Sequence, residues 1–585
     1  MFLRNVLATL VALVIFSLAI FVIFLIGIAI VTATGEKTVE ISDNTILHLK
    51  LDRPISERSV ADPLAEFTMF STGTGGIGLN ELKQAIRRAT QDDRIQGILL
   101  EPDYLYSGLA KLYELRQEFE RFRDSGKFII AYSEYLTESE YYLASVADEI
   151  YLPEEGVLEF NGFRAEYNFL KGTFEKIGVD VEVFRAGDYK SAVEPFTRTE
   201  MSEQSREQTS SMLESFYSTY LDDLSRSRGI SRDELKVVAD SMLATYAKDA
   251  LEYNLITDTK YFDQVIEELK YRTDVDSTGE LKSVSLDQYL TSSTTSDTGR
   301  ERIAVVFADG EIVNGKSDLE RIGSESLSKE LRKLRQDERI KAVVLRINSP
   351  GGGSLASDVI WREVLKASEE KPVIASMSDI AASGGYYIAM ACDSIVAQPM
   401  TLTGSIGVFS MHFNAKELLE DKLGITTDVV KTGELSDVFT VARPFTEYEK
   451  NLFQKSADQT YETFLKKAAQ GRELPLEQIS AVAGGRIWSG VQARENGLVD
   501  ALGGLEDAIA MAAQAAGLEE GDYKLRYYPR QKTFIEQLIG ELTGNYEESR
   551  LKSRLGDFYP IVKQVRDLQN YQGLQTRLPF NITIQ

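Results

Sequence analysis

The sequence predicts an α/β protein: one domain written twice in tandem, behind an N-terminal transmembrane helix. Three observations predict it: an uncharged apolar run at the start, matched segments at one fixed offset, and alternating strand-like and helix-like patterns.

The apolar run comes first. No charged residue occurs from 6 to 33. That exceeds the roughly 20 residues needed to span a bilayer and the about 7 to 15 of a secretory signal core. No clear small-residue cleavage site follows, so residues 1–35 read as a retained anchor. Arg4 precedes the run; Glu36 and Lys37 follow it. The excess of positive charge before the run orients the short tail toward the cytoplasm. The expectation is a single-pass protein of the inner (plasma) membrane. The lipid bilayer is then a partner, and the body is extracytoplasmic (periplasmic).

The body repeats itself. "QDDRIQGILL" (91–100) resembles "QDERIKAVVL" (336–345), an offset of 245. "KFIIAYSEY" begins at Lys127 and "KPVIASMSD" at Lys371; "YYLASVADEI" begins at Tyr141 and "YYIAMACDSI" at Tyr386. Gly162 of "FNGF" matches Gly407 of "SIGV". Matches in one order at nearly one offset mark a duplication. The polar run "TSSTTSDTG" (291–299) has linker composition and marks the seam. The expected units are an N-terminal repeat (36–298), a C-terminal repeat (299–520) and an extension (521–585).

Each copy alternates the two periodicities. In the second, "IAVVFAD", "AVVLRI", "PVIASM" and "SIVAQ" read as strands. "SLSKELRKLRQ" and "SDVIWREVLKASEE" read as amphipathic helices. In the extension, "KTFIEQLIGEL" reads as a helix.

Composition narrows the function. The formal net charge is −25, which repels phosphate backbones and argues against nucleic acid. One cysteine, Cys392, forms no internal disulfide, and no Cys/His cluster suggests a metal. No cofactor is implied. There are two histidines. His412, in the apolar "FSMHFN", reads as structural, so a Ser-His-Asp site lacks its histidine.

The second copy nevertheless carries parts of a nucleophilic site. "NSPGGGSLASD" is a glycine-rich turn entering a helix, where backbone N–H groups can converge on an oxyanion. "IAASGGYYIA" presents Ser383 after a strand, with the N–H of Gly384 next to it. Such a serine needs a base, and a desolvated lysine can serve. Aligning Gly187 with Gly433 sets Lys190 opposite Ser436; aligning the tyrosines sets Glu138 opposite Ser383. Each copy lacks what the other holds. That pattern predicts a composite site between the copies.

"NSPGGG", "AASGGYYIA", "TLTGSIGV" and "GDYKSAVEPF" closely resemble the long, duplicated form of signal peptide peptidase A, a Ser-Lys serine protease with a Clp-protease/crotonase-like fold. The resemblance implies a membrane-anchored endopeptidase that degrades cleaved signal peptides and other apolar peptides through an acyl-enzyme, assembled as a homotetramer. It implies Ser383 as nucleophile and Lys190 as general base. Gly384 and Gly351 would supply the oxyanion N–H groups, and Ser405 would orient the lysine. Two other readings share parts of this pattern. A crotonase-type acyl-CoA enzyme would use a carboxylate base. A non-catalytic membrane scaffold would keep the motifs as relics.

Overall fold

A computed structural model of the chain describes residues 4–5, 9, 12–13, 15–18, 40–59, 76–103, 105–292, 299–318, 321–530 and 574–577. Each repeat is built on a parallel sheet. In the first, the spatial order is Asp258–Thr259, Glu149–Leu152, Phe128–Tyr132, Ile95–Pro102, Thr45–Leu51 and Ser283–Ser285. In the second, Ala501–Leu502, Ser394–Ala397, Val373–Ala382, Ile340–Ser349, Glu301–Asp309 and Tyr523–Tyr528 pair in the same order. The second sheet branches: the far end of Val373–Ala382 also pairs with Leu402–Gly404, which pairs with Ile487–Ser489.

Parallel strands need crossover connections, and helices supply them. Leu79–Gln91 buries Leu79, Leu82, Ile86 and Ala89, one face at helical spacing. Ser324–Gln336 buries Leu327, Leu331 and Leu334 in the same way. The strands they cover are apolar on both faces, as in Val343, Val344 and Leu345, all buried.

The duplication extends to individual hydrogen bonds. Lys127 Nζ donates to the carbonyls of Ala89 and Asp92; Lys371 Nζ donates to those of Leu334 and Asp337. Asp148 accepts from the Ile129 N–H as Asp393 does from the Val373 N–H. The Tyr141 hydroxyl donates to the Leu255 carbonyl, and that of Tyr386 to the Leu498 carbonyl.

A third sheet joins the copies. Its order is Arg321–Gly323, Glu311–Val313, Gly351–Gly353, Gln575–Arg577, Val408–Asn414 and Asp180–Ala186. The last two run antiparallel, with Val408 opposite Ala186 and Asn414 opposite Asp180. A strand of the first repeat thus completes a sheet of the second. The joint is also ionic: buried Arg346 pairs with Glu57 and Glu114, at 2.8 Å each. Burial pushes the Glu57 carboxyl up, but the Arg346 guanidinium, the Lys111 ammonium and the Ser378 hydroxyl together outweigh it and hold it below the usual range.

The expected transmembrane helix requires correction. Among the described residues no helix is long and apolar enough to cross a membrane. Of the apolar run at 6–33, residues 9, 12–13 and 15–18 are described. The remainder of that run lies outside the described residues, as does the helix expected in "KTFIEQLIGEL". The expectations that depended on the span are withdrawn with it: membrane anchoring, the bilayer as partner, and the inner-membrane placement with a periplasmic body.

Candidate active site

Ser383 sits between the strand Val373–Ala382 and the helix Gly384–Ala389. Its φ of 55° and ψ of −110° are costly for a residue with a side chain. The surroundings enforce them. The Ser383 N–H donates to the Gly404 carbonyl (2.8 Å), and its carbonyl accepts from the Tyr387 N–H (2.8 Å). Gly384 and Gly385 follow because nothing larger fits. A Cβ on Gly384 would lie 2.6 Å from Ser357 Oγ, and one on Gly385 2.6 Å from the Ser349 carbonyl oxygen.

Lys190 arrives from the first repeat. The strand Asp180–Ala186, paired along Val408–Asn414, carries the chain to the turn at Gly187. Gly187 (φ 110°) packs on the backbone of Gly484, whose carbonyl accepts from the Tyr189 N–H at 2.9 Å. Gly485 (φ 83°) lies under Lys190: a Cβ there would stand 2.6 Å from both the Lys190 Cβ and backbone nitrogen. Buried Gln208 ties the pieces together. Its amide nitrogen donates to the Tyr189 carbonyl and Ser191 Oγ, and its amide oxygen accepts from the Ile487 N–H.

The side chains then converge. Lys190 Nζ lies 2.7 Å from Ser383 Oγ, and it is 3.0 Å from both the Ser405 carbonyl oxygen and Ser405 Oγ. Lys190, Ser383 and Ser405 are fully buried. Burial holds the Lys190 amine well below the ordinary lysine pKa range. A neutral amine has two N–H donors and one lone pair. The Ser405 carbonyl can only accept, and Ser405 Oγ can accept as well. With both donors directed to Ser405, the lone pair is left for the Ser383 hydroxyl. Ser405 itself has φ 51°, with its N–H donating to the Arg486 carbonyl at 2.7 Å.

The two glycines expected to hold an oxyanion lie side by side. A Cβ on Gly351 would be 2.7 Å from the Gly384 nitrogen. Gly384 opens its helix, where an N–H has no intrahelical acceptor. The Gly351 N–H donates to Ser349 Oγ at 3.2 Å.

The counterpart positions hold no such group. Ser436 is exposed, and its hydroxyl donates to the Gly433 carbonyl. Glu138 is buried and accepts from the N–H groups of Asn161 (2.8 Å) and Gly162 (3.0 Å). Burial raises its pKa. His412 stacks against Phe445, with ring centroids 4.1 Å apart. Sequence reasoning missed Gly484, Gly485 and Gln208. The glycine pair in "AGGR" (483–486) was a visible signal for the first two; Gln208 left none.

The chain matches peptidase family S49 over residues 121–276 and 366–519. The first block contains Lys190 and the second Ser383 and Ser405. It is 39% identical over 452 residues to the chloroplastic serine protease SPPA of Arabidopsis thaliana, covering 76% of this chain and 66% of that one. It is 35% identical to Protease 4 of Salmonella typhi, over 80% of this chain and 76% of that one. With Protease 4 of Haemophilus influenzae it shares 31% identity, over 94% of this chain and 92% of that one.

Proposed function

The chain belongs to peptidase family S49 and is a serine protease, and from that premise we propose that it cleaves extended peptides with Ser383 as nucleophile and Lys190 as general base. One observation carries the reading: a fully buried amine stands 2.7 Å from a serine hydroxyl, with Ser405 occupying its donors.

Neutral Lys190 takes the Ser383 proton as Oγ attacks the peptide carbonyl. Negative charge develops on the carbonyl oxygen. The N–H groups of Gly384 and Gly351 stabilise it, the latter by turning from Ser349 Oγ. Collapse of the tetrahedral intermediate breaks the C–N bond, and Lys190 returns the proton to the leaving amine. Water then attacks the acyl-enzyme, giving up its proton to Lys190, and Ser383 is regenerated. Nothing in this cycle needs a histidine. The carboxylate base of an acyl-CoA enzyme has no counterpart beside Ser383, whose neighbour is Lys190.

The test is cleavage of a synthetic signal peptide, with products mapped by mass spectrometry. The intact chain cuts it and forms a Ser383-linked adduct with an acylating serine probe. Unimpaired cleavage by Ser383→Ala would remove the reading.

A further inference from the structure

The chain lays one of its own strands beside the serine. Gln575–Arg577 runs antiparallel to Gly351–Gly353, with Arg577 opposite Gly351, Thr576 opposite Gly352 and Gln575 opposite Gly353. Its other edge pairs with Val408–Asn414 through Gln575 and Phe409. The Ser354 N–H donates to the Leu574 carbonyl, and Thr576 Oγ1 donates to the Gly352 carbonyl. The Thr576 carbonyl oxygen would be 2.0 Å from a Cβ on Gly351 and 3.0 Å from one on Gly384. An extended backbone therefore fits the slot between the two strands and reaches the glycines beside Ser383.

Main-chain pairing of this kind accepts any sequence, so discrimination falls to side chains. Gly351, Gly352 and Gly353 have none, and the neighbouring strand Glu311–Val313 packs close behind them. A Cβ on Gly352 would be 2.0 Å from the Ile312 carbonyl oxygen. A long side chain on the occupying strand can thus cross the bare glycines to the strand beyond. Arg577 does so: its Nη1 lies 2.8 Å from Glu311 Oε1, with the two side chains only 13% and 14% exposed.

We propose that Glu311 is a specificity-determining residue, which selects a basic side chain at the one position of a bound peptide that lies opposite Gly351. This rests on the reading that Ser383 and Lys190 cleave peptides held in that slot. A largely buried carboxylate favours a cation there over an acidic or uncharged side chain. The chain's own Arg577 takes the same position, so it competes with such a peptide.

The test uses the full chain and fluorescent peptides of one apolar sequence, with a single Arg, Gln or Glu moved along successive positions. Affinities are read by anisotropy on Ser383→Ala protein, and cut positions on the active enzyme. At one position, Arg should bind about tenfold tighter than Gln. Glu311→Gln should reduce that ratio to about one, Glu311→Asp should keep most of it, and Glu311→Lys should favour the Glu peptide. Arg577→Gln should tighten the Arg peptide further by removing its competitor. An Arg-to-Gln ratio unchanged by Glu311→Gln overturns the inference, whether or not the peptides are cut. Selective binding without cleavage by the active enzyme overturns the peptidase reading and leaves the role of Glu311 standing. Failure of every peptide to bind overturns both.

Discussion

Val408 of the second repeat pairs with Ala186 of the first, and Lys190 stands four residues beyond that pair. The register of this antiparallel ladder, continued through the Gly187 turn, brings the amine to Ser383. A slip of one residue would turn every side chain of Asp180–Ala186 to the other face and displace the turn.

Ser383 and Lys190 act as a unit, so their losses do not add. Ser383→Ala and Lys190→Met should each reduce kcat/KM on a peptide by about 10³-fold or more, and the double variant should be little worse. Steady-state kinetics on the three variants checks this. A double variant whose defect is the product of the single ones would argue for two independent roles.

Activity should rise with pH through the lowered pKa of Lys190, because only the neutral amine accepts the Ser383 proton. The profile of kcat/KM between pH 5 and 9 is the measurement. A rate of acylation that falls across that range is incompatible with a lysine base.

The same shift has a sign for stability. In the folded chain the amine loses its proton below the ordinary lysine range; unfolded, it does so near pH ~10.4. Between the two the unfolded chain binds one more proton, so stability contributed by this site rises with pH across that window. Below the folded pKa the burial penalty is largest and constant. Lys190→Met removes the titration. Its Tm should therefore exceed that of the parent at pH 7, and the gap should narrow toward pH 10. Differential scanning calorimetry at both pH values reads it.

Gly485 is a close-approach site. With φ 83° and Lys190 backbone 2.6 Å from where a Cβ would stand, Gly485→Ala must push the lysine away. Displacing a reacting group by about 1 Å costs on the order of 10² in rate. We expect kcat to fall by about that factor while the protein still folds, with Tm lowered. Near-normal kcat in a folded variant would show that the clasp does not position the amine.

Arg346 tests the joint between the copies. Arg346→Met leaves buried Glu57 with the Ser378 hydroxyl as its side-chain hydrogen-bond partner, and Glu114 with Lys83, a loss of about 3–5 kcal/mol. Urea denaturation should show a markedly lower midpoint. The variant that also carries Glu57→Gln should recover part of it, since the side chain that lost its cation is then neutral, while Glu114 keeps Lys83.

Much of this molecule could be read without coordinates. The 245-residue offset between Gln91 and Gln336 gives the duplication, and local periodicity gives strands such as Val373–Ala382 and helices such as Ser324–Gln336. Ser383 and Lys190 could be named as candidates because each stands where the other copy has Glu138 or Ser436. The apolar run at 6–33 misled for an equally physical reason. Hydropathy reports how a stretch partitions into a bilayer, and among the described residues no helix is long and apolar enough to cross one.

Tertiary structure decided what depends on partners distant in the chain. Strand pairing follows from which edges meet, so nothing local in Asp180–Ala186 says that it completes a sheet with Val408–Asn414. The lowered Lys190 pKa comes from burial made by both copies. The clasp of Gly484 and Gly485 under the lysine, and the reach of Arg577 over bare glycines to Glu311, join residues almost 300 positions apart in one case and 266 in the other. The sequence by itself determined the repeated fold and the chemical groups available, because periodicity and residue type are local. Only packing decided which groups meet, because burial, register and close approach belong to pairs of surfaces.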